Sequence, residues 1–404
     1  MNHSATIAPS PLAPPTAWPT QGIAVMLLCF VLNMVDGVNI FTLTYVAPVL
    51  QKQFAVGPER FAIVFSAGLV GMAVGGIAVA PLADRLGRRP LVLMALALMA
   101  GAMMASAYAG DVWMLSLIRV FVGIGIGTVL ASITALSAGF APDRYRHIAT
   151  GVPQAGYPVG ATLAGFVVAA QLPLHGPQAM FLGAGVLTLL LLPVCWFALP
   201  EAPDRAGAVH QTIAQAIGGG RKRDSLLLWV CTIGGFMALY FIASWITKLA
   251  IQAGLPPKQA IIASAIYSVG ACVGTIGLSL LATRIDLRKL MLVMLLSACG
   301  LFLVFGGVKL SLTPLLVVCF LIGVTLQGGV NCNYPLAASI YPAHVRATGI
   351  GWAMGVGRLG ALMGPMVGGW AMGAGLPLVG VFGIFCVPMA ITGLCAMGIG
   401  RDKI

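Results

Sequence analysis

Long apolar runs alternate with short polar joins along this chain. The runs lie at roughly residues 22–50, 60–83, 90–109, 112–140, 148–171 and 179–200. A polar stretch from Glu201 to Asp224 interrupts them, with three consecutive glycines and the cluster Arg221-Lys222-Arg223. Six more runs follow at roughly 225–252, 259–282, 289–309, 313–340, 347–372 and 376–400. A helix needs about 20 apolar residues to cross the hydrocarbon core of a bilayer. Backbone groups in lipid must bond to one another, so runs of this length read as helices. The pattern predicts an all-α membrane protein of twelve transmembrane helices in two six-helix halves. Its expected parts are a flexible N-terminal tail (1–21), an N-terminal half (22–200), a cytoplasmic linker (201–224), a C-terminal half (225–400) and a C-terminal tail (401–404). The first 21 residues are Pro-rich and lack a basic segment followed by a cleavage site, so they read as a tail and not a signal peptide.

Composition supports the same class. Of 404 residues, 59% are hydrophobic and 8% charged, against about 25% charged in soluble domains. The 52 glycines suit helices that pack closely in lipid. A net charge of +12 raises the question of a nucleic-acid partner, but the basic residues sit in short clusters between apolar runs, and no nucleic acid is expected. With the N-terminus inside, the cytoplasmic loops hold Arg85, Arg88, Arg89, Arg144, Arg146, Arg205, Arg221, Lys222, Arg223, Arg284, Arg288, Lys289, Arg346, Arg401 and Lys403. The outer side holds Lys52, Arg60, Lys258 and Lys309, with Lys248 near that edge. Positive charge favours the cytoplasmic side, so both termini are expected there, in a multi-pass protein of the cell's inner membrane. The nine cysteines are scattered in apolar segments without metal-ligand spacing; no metal or cofactor is expected, and a monomer is. No intramembrane His pair, Ser/Lys pair or metal cluster suggests an enzyme, and no sizeable soluble domain suggests a receptor.

Two loops look like copies of one another. Ala80-Pro-Leu-Ala-Asp84-Arg85-Leu-Gly87-Arg88-Arg89 joins helices 2 and 3, and Leu281-Ala-Thr283-Arg284-Ile-Asp286-Leu-Arg288-Lys289 joins helices 8 and 9. The first resembles the G-x-x-x-D-R-x-G-R-R signature of the major facilitator superfamily, with Ala80 in place of the first Gly. The resemblance implies the fold of two six-helix halves. It also implies that Asp84, Arg85, Gly87, Arg88, Arg89 and, in loop 10–11, Arg346 act in gating. A narrower resemblance is to the aromatic acid:proton symporters. It rests on Asp36-Gly37-Val38-Asn39 and Tyr45-Val-Ala47-Pro48 in helix 1, Arg119-x-x-x-Gly123-x-Gly125-x-Gly127 in helix 4, and Tyr341-Pro342 through Arg346-Ala347-Thr348-Gly349 to Arg358, Gly364 and Pro365. Two positions depart from that pattern: Asn39 and Gly139 stand where carboxylates are usual. The resemblance implies import of an aromatic carboxylate, such as a benzoate or hydroxybenzoate, with protons.

A census of charge within the apolar runs gives a second line. Asp36 is the one acidic residue well inside a run, with Arg119 and Arg358 the basic ones. Each costs about 2.5–3.5 kcal/mol at a helix centre on insertion scales, so each calls for a function or a partner. Counting 1.5 Å per residue puts Asp36 roughly 21 Å above the inner face and Arg119 roughly 10 Å below the outer one. In a core of about 30 Å those heights nearly coincide, so Asp36 and Arg119 are expected to interact. Arg358 reaches roughly 16 Å, near the midplane. Arg grips a carboxylate with two parallel hydrogen bonds, and Asp carries a proton where Arg does not. Arg358 is therefore the first candidate for the substrate carboxylate, and Asp36 with Arg119 for proton coupling. Asn39, one turn from Asp36, and Tyr240, Trp245, Gln327, Asn331, Tyr334 and Trp352 are further substrate-binding candidates, with Tyr157 a possible wall residue. Structural alternatives stand beside these: Arg119 as a strut that neutralises Asp36, and Arg358 bonded to carbonyls at a helix break near Gly355 and Gly357. One proton would cancel the charge of one carboxylate against a potential worth about 2.3 kcal/mol per charge per 100 mV, so about one proton per substrate is expected. A symporter of aliphatic or sugar acids and a proton-coupled exporter remain as alternatives.

Overall fold

A computed structural model describes residues 20–140, 146–199, 218, 220–282, 284–342 and 345–400. The predicted tails and most of the predicted linker lie outside the described residues. Every regular element among them is a helix. In the first set, α1 is Thr20–Gln53, α2 is Pro58–Val74, α3 is Arg88–Ser106 and α4 is Val112–Gly139. The helix Arg146–Ala198 holds two arms, α5 (146–175) and α6 (177–198), because Gly176 leaves helical geometry at φ 73° and ψ 176°. In the second set, α7 is Lys222–Gln252, α8 Pro257–Leu281, α9 Leu287–Gly307, α10 the interrupted rod Leu312–Ile340, α11 Arg346–Gly373 and α12 Leu378–Gly398. Ten of the helices are long and apolar enough to cross a membrane. One of those ten holds both α5 and α6, and α11 stands outside them, so the described residues form twelve long helical segments.

The reversal at Gly176 follows from contacts. The backbone of Tyr157 abuts Gly37, and Thr188 accepts a hydrogen bond from Asn39 at 3.0 Å. On one straight helix residues 157 and 188 would stand roughly 46 Å apart, yet they meet α1 two residues apart. The chain therefore doubles back.

Glycine sets the closest helix pairs. Gly37, Gly156 and Gly160 leave no room for a Cβ between α1 and α5, and Gly71, Gly75, Gly123 and Gly127 do the same between α2 and α4. In the second set Gly270, Gly274 and Gly323 join α8 to α10, and Gly360 and Gly364 join α7 to α11. Lipid gives helices no hydrophobic reason to associate, so such close packing is what holds them. Below α2 the backbone passes through a π turn (Gly75–Val79) and a 3-10 turn (Ala80–Leu82). It then reaches Gly87, whose φ of 86° is left-handed and favours glycine.

The two sets meet along α1–α7, α2–α11 and α5–α8. Toward the α1–α2 loop the seam is tight. Thr44 donates to the Ala243 carbonyl at 3.1 Å and Ser66 to the Leu362 carbonyl at 3.2 Å. Phe65 packs edge-on against Trp245 at 5.1 Å, and Lys248 donates to the Gln51 side chain. Gly369 sits against Pro58 and Ala62. The bundle is shut at this end.

Candidate functional site

Arg358 is half-buried on α11, and its guanidinium donates to the Tyr240 hydroxyl at 3.2 Å. α11 runs unbroken through Gly355 and Gly357, so Arg358 does not serve a helix break. Tyr157 and Tyr334 lie within its electrostatic reach, along with Tyr240. Among the described residues no carboxylate forms an ion pair with it; the Asp286–Arg288 pair lies elsewhere. Tyr334, on α10, is 48% exposed. Three of the expected residues, Arg358, Tyr240 and Tyr334, are thus brought together from α11, α7 and α10.

Asp36 is 1% exposed, and both its carboxylate oxygens are buried without a hydrogen-bond partner. The expected contact with Arg119 is not formed. Arg119, 3% exposed, donates to the Asn39 carbonyl at 3.2 Å and meets the Met103 sulfur at 3.1 Å, and its Nε has no partner. Asn39 is within a turn of Asp36, about 4.5 Å along the axis, so Arg119 reaches the same stretch of α1 without meeting Asp36. Depth did not fix direction. The guanidinium turns toward Met103 of α3, while both Asp36 oxygens stay without a partner. Tyr157, whose backbone abuts Gly37 beside Asp36, borders one cavity with Arg119 and Tyr240. The sequence offered it as a wall residue of the cavity; the close approach of its backbone to Gly37 is what the sequence did not show.

Other expected residues lie off this cluster. The amide of Asn39 is spent on Thr188, facing α6. Trp245 is fully buried in the shut seam and donates to the Pro365 carbonyl at 3.0 Å. Trp352 falls in the exposed stripe of α11 with Leu359, Met363, Met366 and Trp370. Six residues from Arg358 at 100° each put it on a different face. Gln327 donates to Asn331 at 3.2 Å and Asn331 to Thr275 at 3.0 Å, a polar ladder from α10 to α8 that ends one turn from Tyr334.

A cavity of about 40 Å³ lies between the two sets, bordered by Arg119, Thr44, Phe65, Tyr157, Tyr240 and Ser244. A larger one, about 400 Å³, lies within the second set near Asp224, Asp286, Arg288 and Ile399, away from this chemistry. There Arg288 bonds both oxygens of Asp286 and the Ile399 carbonyl. Arg288 holds the Asp286 carboxyl below its usual range.

In the loop before α3, Arg85 is exposed, and Arg88 and Arg89 are half-buried. Arg89 donates to the Trp196 carbonyl and lies over that ring at 5.3 Å, within its own set. The side chains of Asp84 and Arg346 lie outside the described residues.

The sequence model of the Major Facilitator Superfamily matches residues 28–365 and, again, 228–403. The chain belongs to this superfamily. A gallate transporter of Pseudomonas putida is 28% identical, over 94% of this chain and 92% of its own length. A 3-(3-hydroxy-phenyl)propionate transporter of Escherichia coli K12 is 30% identical, over 91% of each. A 4-hydroxybenzoate transporter of Pseudomonas putida is 28% identical, over 91% and 90%. Among solved structures, a bacterial homolog of the human lysosomal transporter Spinster superposes with a TM-score of 0.75 over 96% of this chain and 99% of that one, at 17% identity, which speaks to the fold. The protein is a multi-pass membrane transporter of the major facilitator superfamily, related to transporters of aromatic acids, and not an enzyme.

Proposed function

We propose that this protein imports an aromatic carboxylate together with a proton, by alternating access across the inner membrane. The observation that carries this is Arg358: a guanidinium deep in the bundle, steadied by one tyrosine hydroxyl and ringed by two more, with no described carboxylate to balance it. A substrate carboxylate supplies the missing charge and two parallel hydrogen bonds, and the tyrosine rings offer faces and edges to an aromatic body. The named substrates of the relatives, gallate and two hydroxylated aromatic acids, agree with that chemistry.

Asp36 is the proton site in this reading. An ionised carboxylate buried without a partner has nothing to offset its lost hydration, so its proton stays until water or a rearranged Tyr157 reaches it. Arginines in the joins orient both termini toward the cytoplasm, which puts the shut α1–α2 end outside. The state described here is then inward-facing, and rocking of the two sets about α1–α7, α2–α11 and α5–α8 exposes the site to the other side.

Uptake of labelled benzoate, 4-hydroxybenzoate and acetate into proteoliposomes tests this. Aromatic uptake is expected, with Arg358→Gln weakening it by roughly 30-fold or more, since truncating a partner of a buried charge pair costs about 2–5 kcal/mol. Acetate uptake at the same rate, or full activity in Arg358→Gln, contradicts the reading.

A further inference from the structure

Arg119 raises a separate question. Its guanidinium is nine-tenths buried and more, its contacts are one backbone carbonyl and one thioether, and its Nε is orphaned. A buried cation normally has an anion beside it. Asp36, the acid on α1, makes no hydrogen bond to Arg119, since both its oxygens are without a partner. What Arg119 does border is the cavity between the two sets. At about 40 Å³ that cavity exceeds the roughly 10–15 Å³ that one water needs. A carboxylate group fits there beside the guanidinium.

Tyr157 and Tyr240 border that cavity and also stand at Arg358. The two tyrosines thus lie between two uncompensated guanidinium groups, one from each set. Arg358 does not border that cavity, so the arginines are the two ends of one site and not a single clamp.

We infer that the site takes a two-ended anion: a dicarboxylate with its carboxylates at opposite ends of a ring-sized body, one on Arg358 and the other on Arg119. This rests on the anion-import reading above. Charge balances when Asp36 carries its proton, with two carboxylates against two guanidiniums. Such a ligand also ties the two sets together, whereas a monocarboxylate engages Arg358 alone.

Calorimetric titration of the full chain in detergent with benzoate, benzene-1,4-dicarboxylate and benzene-1,2-dicarboxylate tests the inference. The 1,4 compound is expected to bind about tenfold or more tighter than benzoate, from one added charge-assisted contact. The 1,2 compound, whose carboxylates are adjacent, gains much less. Arg119→Gln should remove the 1,4 advantage, and Arg119→Lys should restore part of it. Equal affinity for benzoate and both dicarboxylates in the wild type overturns the inference and leaves the import reading standing; that comparison needs no variant to fold. Absence of binding by all three overturns both.

Discussion

Gly369 offers a test of the shut seam. A Cβ added there lies 2.7 Å from the Pro58 carbonyl and 2.7 Å from the Ala62 Cβ, where ordinary contact begins at 3.4 Å. The Pro58 contact is with backbone, which cannot rotate away. α11 and α2 must separate by roughly 0.7 Å, and overpacking of this kind costs about 1–3 kcal/mol. The cost falls only on the state in which the sets touch here, so Gly369→Ala shifts the conformational equilibrium by roughly 5- to 150-fold toward opening at this end. Gly355 is the matched control, since a Cβ there, on the same helix, meets nothing within 4 Å. Ser66 is the reporter: it is buried and bonds across the seam to Leu362. In a Ser66→Cys background, labelling by a water-soluble maleimide at that position should be several-fold faster with Gly369→Ala than with Gly355→Ala. Equal rates would refute the claim that this contact belongs to one state of a moving seam.

Further expectations follow from single contacts. Lys248→Met removes the bond to Gln51 and the cation over the Trp245 ring. A hydrogen bond to a charged group contributes about 1.5–3 kcal/mol, so labelling at the same Ser66→Cys reporter should rise about tenfold; an unchanged rate would mean that Lys248 does not hold the seam. Asp286 caps α9 through the Arg288 amide at 2.8 Å and pairs with the Arg288 side chain. Its folded pKa is depressed, so its contribution is present at neutral pH and fades as pH falls through the carboxylate range. Thermal unfolding in detergent should show Asp286→Asn below wild type at pH 7, with the gap closing only well below the ordinary carboxyl value of about 3.9. A gap that persists at low pH would assign the effect to the cap alone.

The periodic apolar runs made the fold legible, because lipid leaves helices as the natural way to satisfy the backbone. Even the reversal at Gly176 was visible as a join between two runs. The site was legible in identity and not in direction. Charge within an apolar run marked Asp36, Arg119 and Arg358, and counting residues placed Asp36 and Arg119 within a turn in depth. Rotation about the helix axis then decided the contacts, and a single chain carries little information about it. That is why the Asp36–Arg119 pair failed, why Trp352 faces outward, and why Asn39 bonds α6. Tyr157 acquired its importance from Gly37, a close approach that a sequence reveals only once the partner helix is known.

The most direct test of proton-coupled import is the behaviour of Asp36→Asn, which keeps the shape and removes the titrating group. Two modes should be measured in the same proteoliposomes with labelled aromatic acid: exchange at equal pH, and net accumulation under an inward proton gradient. The reading predicts that Asp36→Asn keeps exchange and loses gradient-driven accumulation. Accumulation that survives at the wild-type level would contradict it and leave Asp36 a structural residue of α1.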